Sequence, residues 1–251
     1  LSEKNIDILF NLSASPFTLE KNDKRHRLFS ASLSRLGCPM LYINRRGLEN
    51  NGKDCYTYDG MTAAYDPKGT LLAEAVPYQA ERSCFSFDIA AKKLAAEKEM
   101  KPFAGDMLLP ALRYGLKEFL SAIHAGRVVI GISGGIDSAV NAALYRSVLP
   151  AENLLLVNTP TRFNSETTKN LARRLAENLE APFVELPIDS FINETVSQID
   201  DLQIPSPSDM KTLHLTGFMK ENIQARDRST RILATLSSAF GGIFTCNANK
   251  T

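Results

Sequence analysis

The chain has 251 residues and a formal net charge of +1, with 44% hydrophobic and 23% charged residues. This balance is ordinary for a globular protein and gives no reason to expect a nucleic-acid or membrane partner. No apolar run approaches the ~20 residues of a membrane-spanning helix. The four cysteines have neither CxxC spacing nor the density of a disulfide scaffold. These features favour a cytoplasmic protein.

The first part of the chain, residues 1–88, is predicted to be rich in β-strands. IDILFNL is typical of a buried strand, KRHRLFSASLSRLG of a helix that Gly37 ends, and PMLYIN of a second strand. DCYTYDG and MTAAYDPKG alternate apolar and polar residues, which predicts a hairpin with turns at Asp59-Gly60 and at DPKG. Residues 89–106, rich in alanine and lysine, predict a connecting helix and linker.

From Met107 onward the pattern changes to alternating helices and strands. Helices are expected at 107–124, 136–149, 165–179, 190–198 and 218–240, and strands at 128–132, 154–158, 183–187 and 242–246. Asn164 or Ser165 is the expected cap of the third helix, and a polar loop broken by prolines covers 200–212. This order predicts an α/β fold with a doubly wound parallel sheet, in which ligands bind beyond the carboxyl ends of the strands.

One glycine-rich turn carries the strongest functional signal. RVVIGISGGIDSAVNAALY leads from a predicted strand through the turn into a helix. The candidate phosphate-binding residues are Gly131, Ile132, Ser133, Gly134, Gly135, Ile136, Asp137 and Ser138. Glycines let the backbone approach an anion, N–H groups at a helix start attract it, and both serine hydroxyls can donate to phosphate oxygens. The carboxylate of Asp137 is the candidate ligand for Mg²⁺.

The turn lacks the lysine of a GxxxxGK[ST] loop. Without that lysine, it can hold the β and γ phosphates of ATP as one pyrophosphate unit and leave the α-phosphorus open to a carboxylate. This arrangement favours adenylation. One alternative is a glycine-rich turn that binds nothing. A redox dinucleotide site is disfavoured, because the next strand ends in Asn158 and Thr159 and not in the acid that binds ribose hydroxyls.

SGGIDS resembles the SGGxDS loop of the ATP pyrophosphatases, which activate carboxylates or carbonyls with AMP. Three further stretches, NTPTRFNSETTKNLARRLAENL, ENIQARDRSTRI and TCNANK, resemble segments of the glutamine-dependent NAD synthetases. The resemblance covers residues 107–251. It implies a Rossmann-like ATP-pyrophosphatase domain that adenylates nicotinic acid adenine dinucleotide (deamido-NAD), releases pyrophosphate and lets ammonia displace AMP.

The same resemblance assigns three residues outside the glycine-rich turn. It implies that Asn247 lies near ATP and that Asn222 and Arg226 contact deamido-NAD. Independently, Asn222, Arg226 and Ser229 fall on one face of a predicted helix, which continues as an apolar stripe. The alternative is that the arginines only solvate the helix.

The N-terminal part resembles the second half of a nitrilase-fold glutaminase domain, because NLSASPF is followed by Lys21, by YINRRG and by AAYDPKGTLLAE. The resemblance implies part of a nitrilase-like α/β sandwich in which Ser15 and Lys21 contact glutamine. An ordinary turn after a strand is the alternative for Ser15.

The sequence also departs from these families. No cysteine is followed by Glu-Asp, as the CED motif of the glutaminase nucleophile requires, so no catalytic residue is assignable, and Cys38 is expected in the core. The glutamate of the GNKSE segment would fall just past Thr251, and Ala248 replaces its glycine. We therefore expect a piece of a longer protein whose synthetase domain continues beyond residue 251.

Two other functions stay open at this stage: another SGGxDS amidotransferase such as a GMP synthetase, and a non-catalytic nucleotide-binding module. The expected ligands are ATP with Mg²⁺, deamido-NAD, and glutamine or ammonia. The expected assembly is a homo-oligomer without nucleic acid or membrane.

Overall fold

The computed structural model describes residues 5–97, 103–207 and 209–247. The chain divides into two compact units, one ending at Phe119 and the other beginning at Leu120. Among the described residues, no helix combines the length and the apolar character needed to cross a bilayer.

The N-terminal unit combines a small mixed sheet with one long helix. Its elements are β1 (Leu9–Ser13), α1 (Lys21–Leu36), β2 (Met40–Asn44), β3 (Arg46–Asn50), β4 (Cys55–Asp59), β5 (Ala63–Tyr65), β6 (Leu71–Glu74), β7 (Phe85–Asp88) and β8 (Lys93–Ala96). The sheet has the order β1-β2-β5-β6, in which β1 and β2 are parallel and the other pairs antiparallel. The helix α2 (Leu108–Ala122) contains the division between the units.

Helix α1 packs on this sheet because its apolar residues recur on one side. Leu33 is buried in one cluster with Cys38 and with Met40 and Tyr42 of β2. Gly37 ends the helix with a φ of 64°, and its N–H donates to the Leu33 carbonyl, a conformation that glycine adopts readily. The predicted core position of Cys38 is confirmed.

Two predictions for the N-terminal part are wrong. Residues 85–96, which include the first part of the expected linker helix at 89–106, form the antiparallel hairpin β7–β8. Leu94 of this hairpin is buried against Ala64 and Ala73, so core packing overrides the helix preference of alanine and lysine. The strands β4 and β5 do not pair with each other, since β4 pairs with β3 and β5 pairs with β2 and β6. Residues 98–102 of the expected linker lie outside the described residues.

The C-terminal unit alternates strands and helices as predicted. Its elements are β9 (Val128–Gly131), α3 (Ile136–Arg146), β10 (Leu154–Asn158), α4 (Glu166–Asn178), β11 (Phe183–Glu185), α5 (Asp189–Ile199), β12 (Gln203–Pro205), β13 (Met210–Thr212), α6 (Gly217–Arg226), a π-helical segment (Asp227–Leu233), α7 (Ala234–Phe240) and β14 (Ile243–Phe244). The strands β11, β10, β9 and β14 lie in this order and are all parallel. The predicted parallel α/β sheet is confirmed, and its strands bury Val128, Val129, Leu154 and Leu156.

Local details of this unit follow from the sequence with two exceptions. Ser165 caps α4 by accepting a hydrogen bond from the Thr168 N–H. The expected loop at 200–212 instead contains the short antiparallel pair β12–β13. The expected single helix at 218–240 is interrupted by the π-helical segment, which changes the direction of the side chains beyond Arg226.

Candidate nucleotide site

The glycine-rich turn joins the carboxyl end of β9 to the first turn of α3. Gly134 has a φ of 82°, in the left-handed region that favours glycine. A Cβ atom at Gly134 would lie 2.3 Å from the Thr168 carbonyl oxygen of α4. The turn therefore needs glycine at this position, both for its backbone conformation and for its close approach to α4.

The two serine hydroxyls have different surroundings. Ser138 is buried, accepts from the Ser133 N–H at 3.3 Å and donates to the Gly135 carbonyl at 3.0 Å. Ser133 is exposed, and its hydroxyl accepts from the Gly135 N–H at 3.3 Å. Ser138 thus stabilises the turn from inside, while the side chain of Ser133 is accessible from solvent.

Ile136 and Asp137 are exposed on the first turn of α3. An exposed carboxylate beside a turn of backbone N–H groups suits Mg²⁺, which prefers one or two carboxylates completed by water and phosphate oxygens. Among the described residues, the group of metal-ligating side chains that lie within 4.8 Å of one another is Asp200, Asp201 and His214, which does not include Asp137. A cation at Asp137 would therefore depend on phosphate oxygens of the bound nucleotide.

A cavity of about 370 Å³ opens at the carboxyl edge of the parallel sheet. Its walls come from the ends of three strands, the loop after β10, the last turn of α6 and the π-helical segment. The lining residues are Gly131, Ile132, Ser133, Asn158, Thr159, Asn164, Ala225, Arg228, Ser229, Leu233, Phe244, Thr245, Cys246 and Asn247. Of the residues predicted to bind ATP, the cavity brings together Gly131, Ile132, Ser133 and Asn247. Gly134, Gly135, Ile136, Asp137 and Ser138 lie in the adjoining turn, outside the cavity walls.

Asn247 is attached to the strand that carries the turn. Its Nδ2 donates to the Gly131 carbonyl at 2.9 Å, and its Oδ1 accepts from the Thr245 hydroxyl at 3.1 Å. Asn141 of α3 donates to the same hydroxyl at 3.2 Å. These bonds place Asn247 beside the glycine-rich turn, and Ala248 and the residues after it lie outside the described residues.

A second cavity, of about 650 Å³, shares Asn164 and Arg228 with the first. Its other walls are Thr161, Arg162, Phe163, Asp189, Ile192, Asn193, Val196, Gly217, Lys220, Glu221 and Gln224. The loop after β10 is held by hydrogen bonds from the Thr161 N–H to Asn164 Oδ1 at 2.8 Å and from the Arg162 N–H to Asp189 Oδ2 at 3.0 Å. The two cavities thus offer adjacent spaces for two ligands.

The structure separates the residues that were expected on one helix face. Asn222 donates to the Phe218 carbonyl within α6 at 3.0 Å, and Arg226 is exposed. Neither residue lines either cavity. Ser229 and Leu233 do line the smaller cavity, because the π-helical segment turns them toward the sheet edge. The roles of Asn222 and Arg226 in binding deamido-NAD stay predictions.

Arg228 lines both cavities, and it is one of the lining residues to which the sequence analysis gave no binding role. Partial burial lowers the pKa of its guanidinium, although the neighbouring Asp227 acts in the opposite direction. Asp227 itself forms an ion pair with Arg231, with Nη2 2.7 Å from Oδ2. A guanidinium at the junction of two cavities can contact an anionic group from either side.

In the N-terminal unit, Ser15 and Lys21 flank one loop. The Ser15 N–H donates to Asn44 Oδ1 at 2.9 Å, and Lys21 Nζ donates to the Pro16 carbonyl at 2.8 Å. Burial, followed by the nearby charge of Arg25, lowers the pKa of Lys21. The structure therefore brings both predicted glutamine contacts to one place.

A parallel sheet whose glycine-rich turn, helix start and cavity meet at the carboxyl edge defines a Rossmann-like α/β domain. Residues 108–251, more than half of the chain, match the family model described as NAD synthase. The chain therefore belongs to the NAD synthase family.

Relatives in this family match the whole chain. The glutamine-dependent NAD(+) synthetase of Synechocystis sp. is 27% identical over 253 residues, a match covering 100% of this chain and 43% of the relative. The Rhodobacter capsulatus synthetase is 28% identical over 260 residues, covering 100% of this chain and 44% of the relative. This chain thus spans less than half the length of these relatives.

A solved structure shows the same fold across both units. The glutamine-dependent NAD+ synthetase of Acinetobacter baumannii, solved in complex with ADP, has a TM-score of 0.83 and 24% identity. The match covers 99% of this chain and 45% of that one. The predicted α/β fold with a Rossmann-like parallel sheet agrees with this likeness. The assignment of residues 1–88 to part of a nitrilase-like glutaminase domain stays a prediction.

Proposed function

We propose that the protein catalyses ATP-dependent amidation of deamido-NAD to NAD, with ammonia taken from glutamine and with AMP and pyrophosphate as products. The observation that carries this proposal is the SGGIDS turn, which stands at the edge of a cavity in a chain of the NAD synthase family. Two adjacent cavities fit a reaction between two ligands, the nucleotide in the smaller and the acceptor in the larger.

The residues of the turn would bind the β and γ phosphates of ATP. Backbone N–H groups from Gly134 to Asp137 and the start of α3 supply positive potential, and Ser133 adds a hydroxyl donor. Asp137 would hold Mg²⁺, which when bound neutralises the charge of the departing pyrophosphate. Because no lysine occupies the turn, the α-phosphorus stays accessible to the carboxylate of the acceptor.

Arg228 would contact the reacting groups from the junction of the cavities. A carboxylate that attacks an α-phosphate brings two anionic groups together, and a partly desolvated guanidinium offsets their repulsion. Asn164, the other shared residue, closes the loop after β10 on the same side.

The N-terminal unit resembles part of a glutaminase domain, and it would take part in releasing ammonia from glutamine. In this role, Ser15 and Lys21 would contact the glutamine. An enclosed passage keeps NH₃ from being protonated before it attacks the adenylate. The glutaminase nucleophile is not assignable among the four cysteines of this chain. The proposed enzyme is cytoplasmic and homo-oligomeric. It has no nucleic-acid or membrane partner, a part of the proposal that the near-neutral net charge of +1 supports.

The family match favours this reaction over that of a GMP synthetase. The test is exchange of labelled pyrophosphate into ATP by the intact protein, with deamido-NAD or xanthosine monophosphate as acceptor. Exchange that depends on deamido-NAD supports the proposal. Exchange that depends on xanthosine monophosphate would favour the GMP synthetase reaction, and binding of ATP without exchange would favour a non-catalytic module.

A further inference from the structure

We propose that Asn158 is a nucleotide-binding residue whose Nδ2 donates a hydrogen bond to an acceptor atom of the nucleotide in the smaller cavity. The proposal rests on the proposed function, because it takes the ligand of that cavity to be ATP. It assigns a role to a side chain that belongs to neither the glycine-rich turn nor the helix after it.

Asn158 is the last residue of β10, lies among the residues that line the smaller cavity and is 4% exposed. Its backbone carbonyl accepts a hydrogen bond from the Leu186 N–H at 2.8 Å. Its side-chain Nδ2 is buried and has no hydrogen-bond partner among the described residues. A buried amide donor without an acceptor destabilises the free protein, so an acceptor supplied by a ligand would compensate it.

A second buried asparagine shows the usual situation. Asn44 is 7% exposed, and its Nδ2 donates to the Ser15 carbonyl at 3.2 Å and to Asp59 Oδ1 at 2.8 Å. Its Oδ1 accepts from the Ser15 N–H at 2.9 Å. Asn44 therefore stabilises the free protein, whereas the buried amide donor of Asn158 has no hydrogen-bond partner among the described residues.

The position of Asn158 selects the nucleotide over the acceptor substrate. Asn158 lines the smaller cavity together with Gly131 and Ser133 of the phosphate turn, and it does not line the larger one. A nucleotide anchored by its phosphates at the turn would extend past the carboxyl end of β10, which is the neighbour of β9 in the sheet. Sugar oxygens and ring nitrogens of that nucleotide are suitable acceptors.

The test compares Asn158→Leu with Asn44→Leu in the intact protein. Without nucleotide, Asn158→Leu should melt at or above the wild-type temperature, because the change removes an uncompensated donor and keeps the number and branching of the side-chain heavy atoms. Its affinity for Mg·ATP, measured by titration calorimetry, should fall by roughly tenfold. Asn44→Leu should lower the melting temperature, because it removes the hydrogen bonds that Asn44 forms with the Ser15 backbone and with Asp59 Oδ1.

Asn158→Ala is the second variant, since it removes the same donor without adding branched volume. Wild-type affinity for Mg·ATP in both Asn158 variants would overturn the assignment of Asn158 alone. A marked loss of melting temperature in both variants without nucleotide would also overturn it, by showing a structural role. A wild-type protein that does not bind Mg·ATP would overturn the proposed function together with this inference.

Discussion

At the scale of single residues, two arginines that are only two positions apart differ in their exposure and in whether they line a cavity. Arg226 is exposed, while Arg228 is partly buried and lines both cavities. Asp227 is engaged by Arg231, so its carboxylate is shared and not dedicated to Arg228. A partly buried guanidinium such as that of Arg228 contributes more to the binding of an anion than an exposed guanidinium, because water screens its charge less.

Arg228→Ala should therefore lower kcat/KM for deamido-NAD-dependent pyrophosphate exchange by on the order of 10- to 150-fold, corresponding to about 1.5–3 kcal/mol for one charge-assisted contact. Arg228→Lys should recover part of the loss, because it keeps the charge and loses the planar fork. Arg174→Ala, at an exposed position on α4, is the control. If Arg226→Ala impairs exchange and Arg228→Ala does not, the π-helical segment is not the wall of the reaction site.

Asp137→Asn should abolish the exchange with little change in melting temperature. The side chain is exposed at the start of α3, where replacing the charge removes only ~0.3–1 kcal/mol of interaction with the helix dipole. An amide is a poor ligand for a hard cation, so the charge on departing pyrophosphate would go uncompensated. Near wild-type exchange with an unchanged melt would show that another group holds Mg²⁺.

The sequence allowed part of this site to be predicted and not the rest. Gly131, Ile132 and Ser133 were predictable because a strand, a glycine-rich turn and a helix are adjacent in the chain and fix one another locally. Asn158 and Arg228 were not, since their importance depends on which side chains face one cavity in three dimensions. The sequence signal that could have indicated Asn158 is its position as a polar residue directly after the apolar run LLLV.

At the scale of elements, the glycine-rich turn packs closely against α4. Gly134 has a φ of 82°, and its missing Cβ allows the Thr168 carbonyl to approach. Regular periodicity predicted the strands and helices around this contact. It did not predict the π-helical segment or the β7–β8 hairpin, because both are decided by packing against residues far along the chain, such as that of Leu94 on Ala64 and Ala73.

Gly134→Ala should destabilise the protein by at least about 1–2 kcal/mol, the cost of a left-handed conformation for an alanine, with the clash against the Thr168 carbonyl added. Nucleotide binding should weaken as well, because the turn must move. Gly126→Ala is the matched control, since a Cβ there meets no atom within 4 Å. Denaturant unfolding of both variants measures the difference. Equal stability of the two would mean that the turn has another conformation.

At the scale of the whole molecule, the two units differ in how polar groups are buried. Among the described residues, the buried charged side chains are Arg25, Asp59 and Glu74, all in the N-terminal unit. Arg25 pairs with the buried Asp59, and Glu74, 2% exposed, accepts from Asn22 at 2.9 Å, from the Phe103 N–H at 3.2 Å, and lies 2.9 Å from His26 Nε2. A buried carboxylate such as that of Glu74 makes the stability of the N-terminal unit depend on pH.

Glu74 gives this dependence a definite sign. Burial alone would raise the pKa of its carboxyl, but the interaction with His26 and the hydrogen bonds from Asn22 and Phe103 outweigh burial and lower the pKa from its ordinary 4.5. A lowered pKa in the folded state means that Glu74 stabilises the N-terminal unit fully above the unfolded-state value. This contribution is lost as the pH falls through the lower folded-state value.

Glu74→Gln should therefore destabilise the N-terminal unit at pH 7 and remove part of its acid sensitivity below pH 4.5. The measurement is amide hydrogen exchange of peptides covering β5 and β6, taken at pH 7 and across the acid range, with peptides from β9 and β10 as the internal control. Glu166→Gln, which changes an exposed carboxylate on α4, is the matched variant and should leave both sets of peptides unchanged. The β5 and β6 peptides could instead lose protection in parallel in the wild-type and Glu74→Gln proteins as the pH falls. That result would contradict the predicted pH dependence, because the ionised Glu74 would then contribute nothing to the stability of its unit.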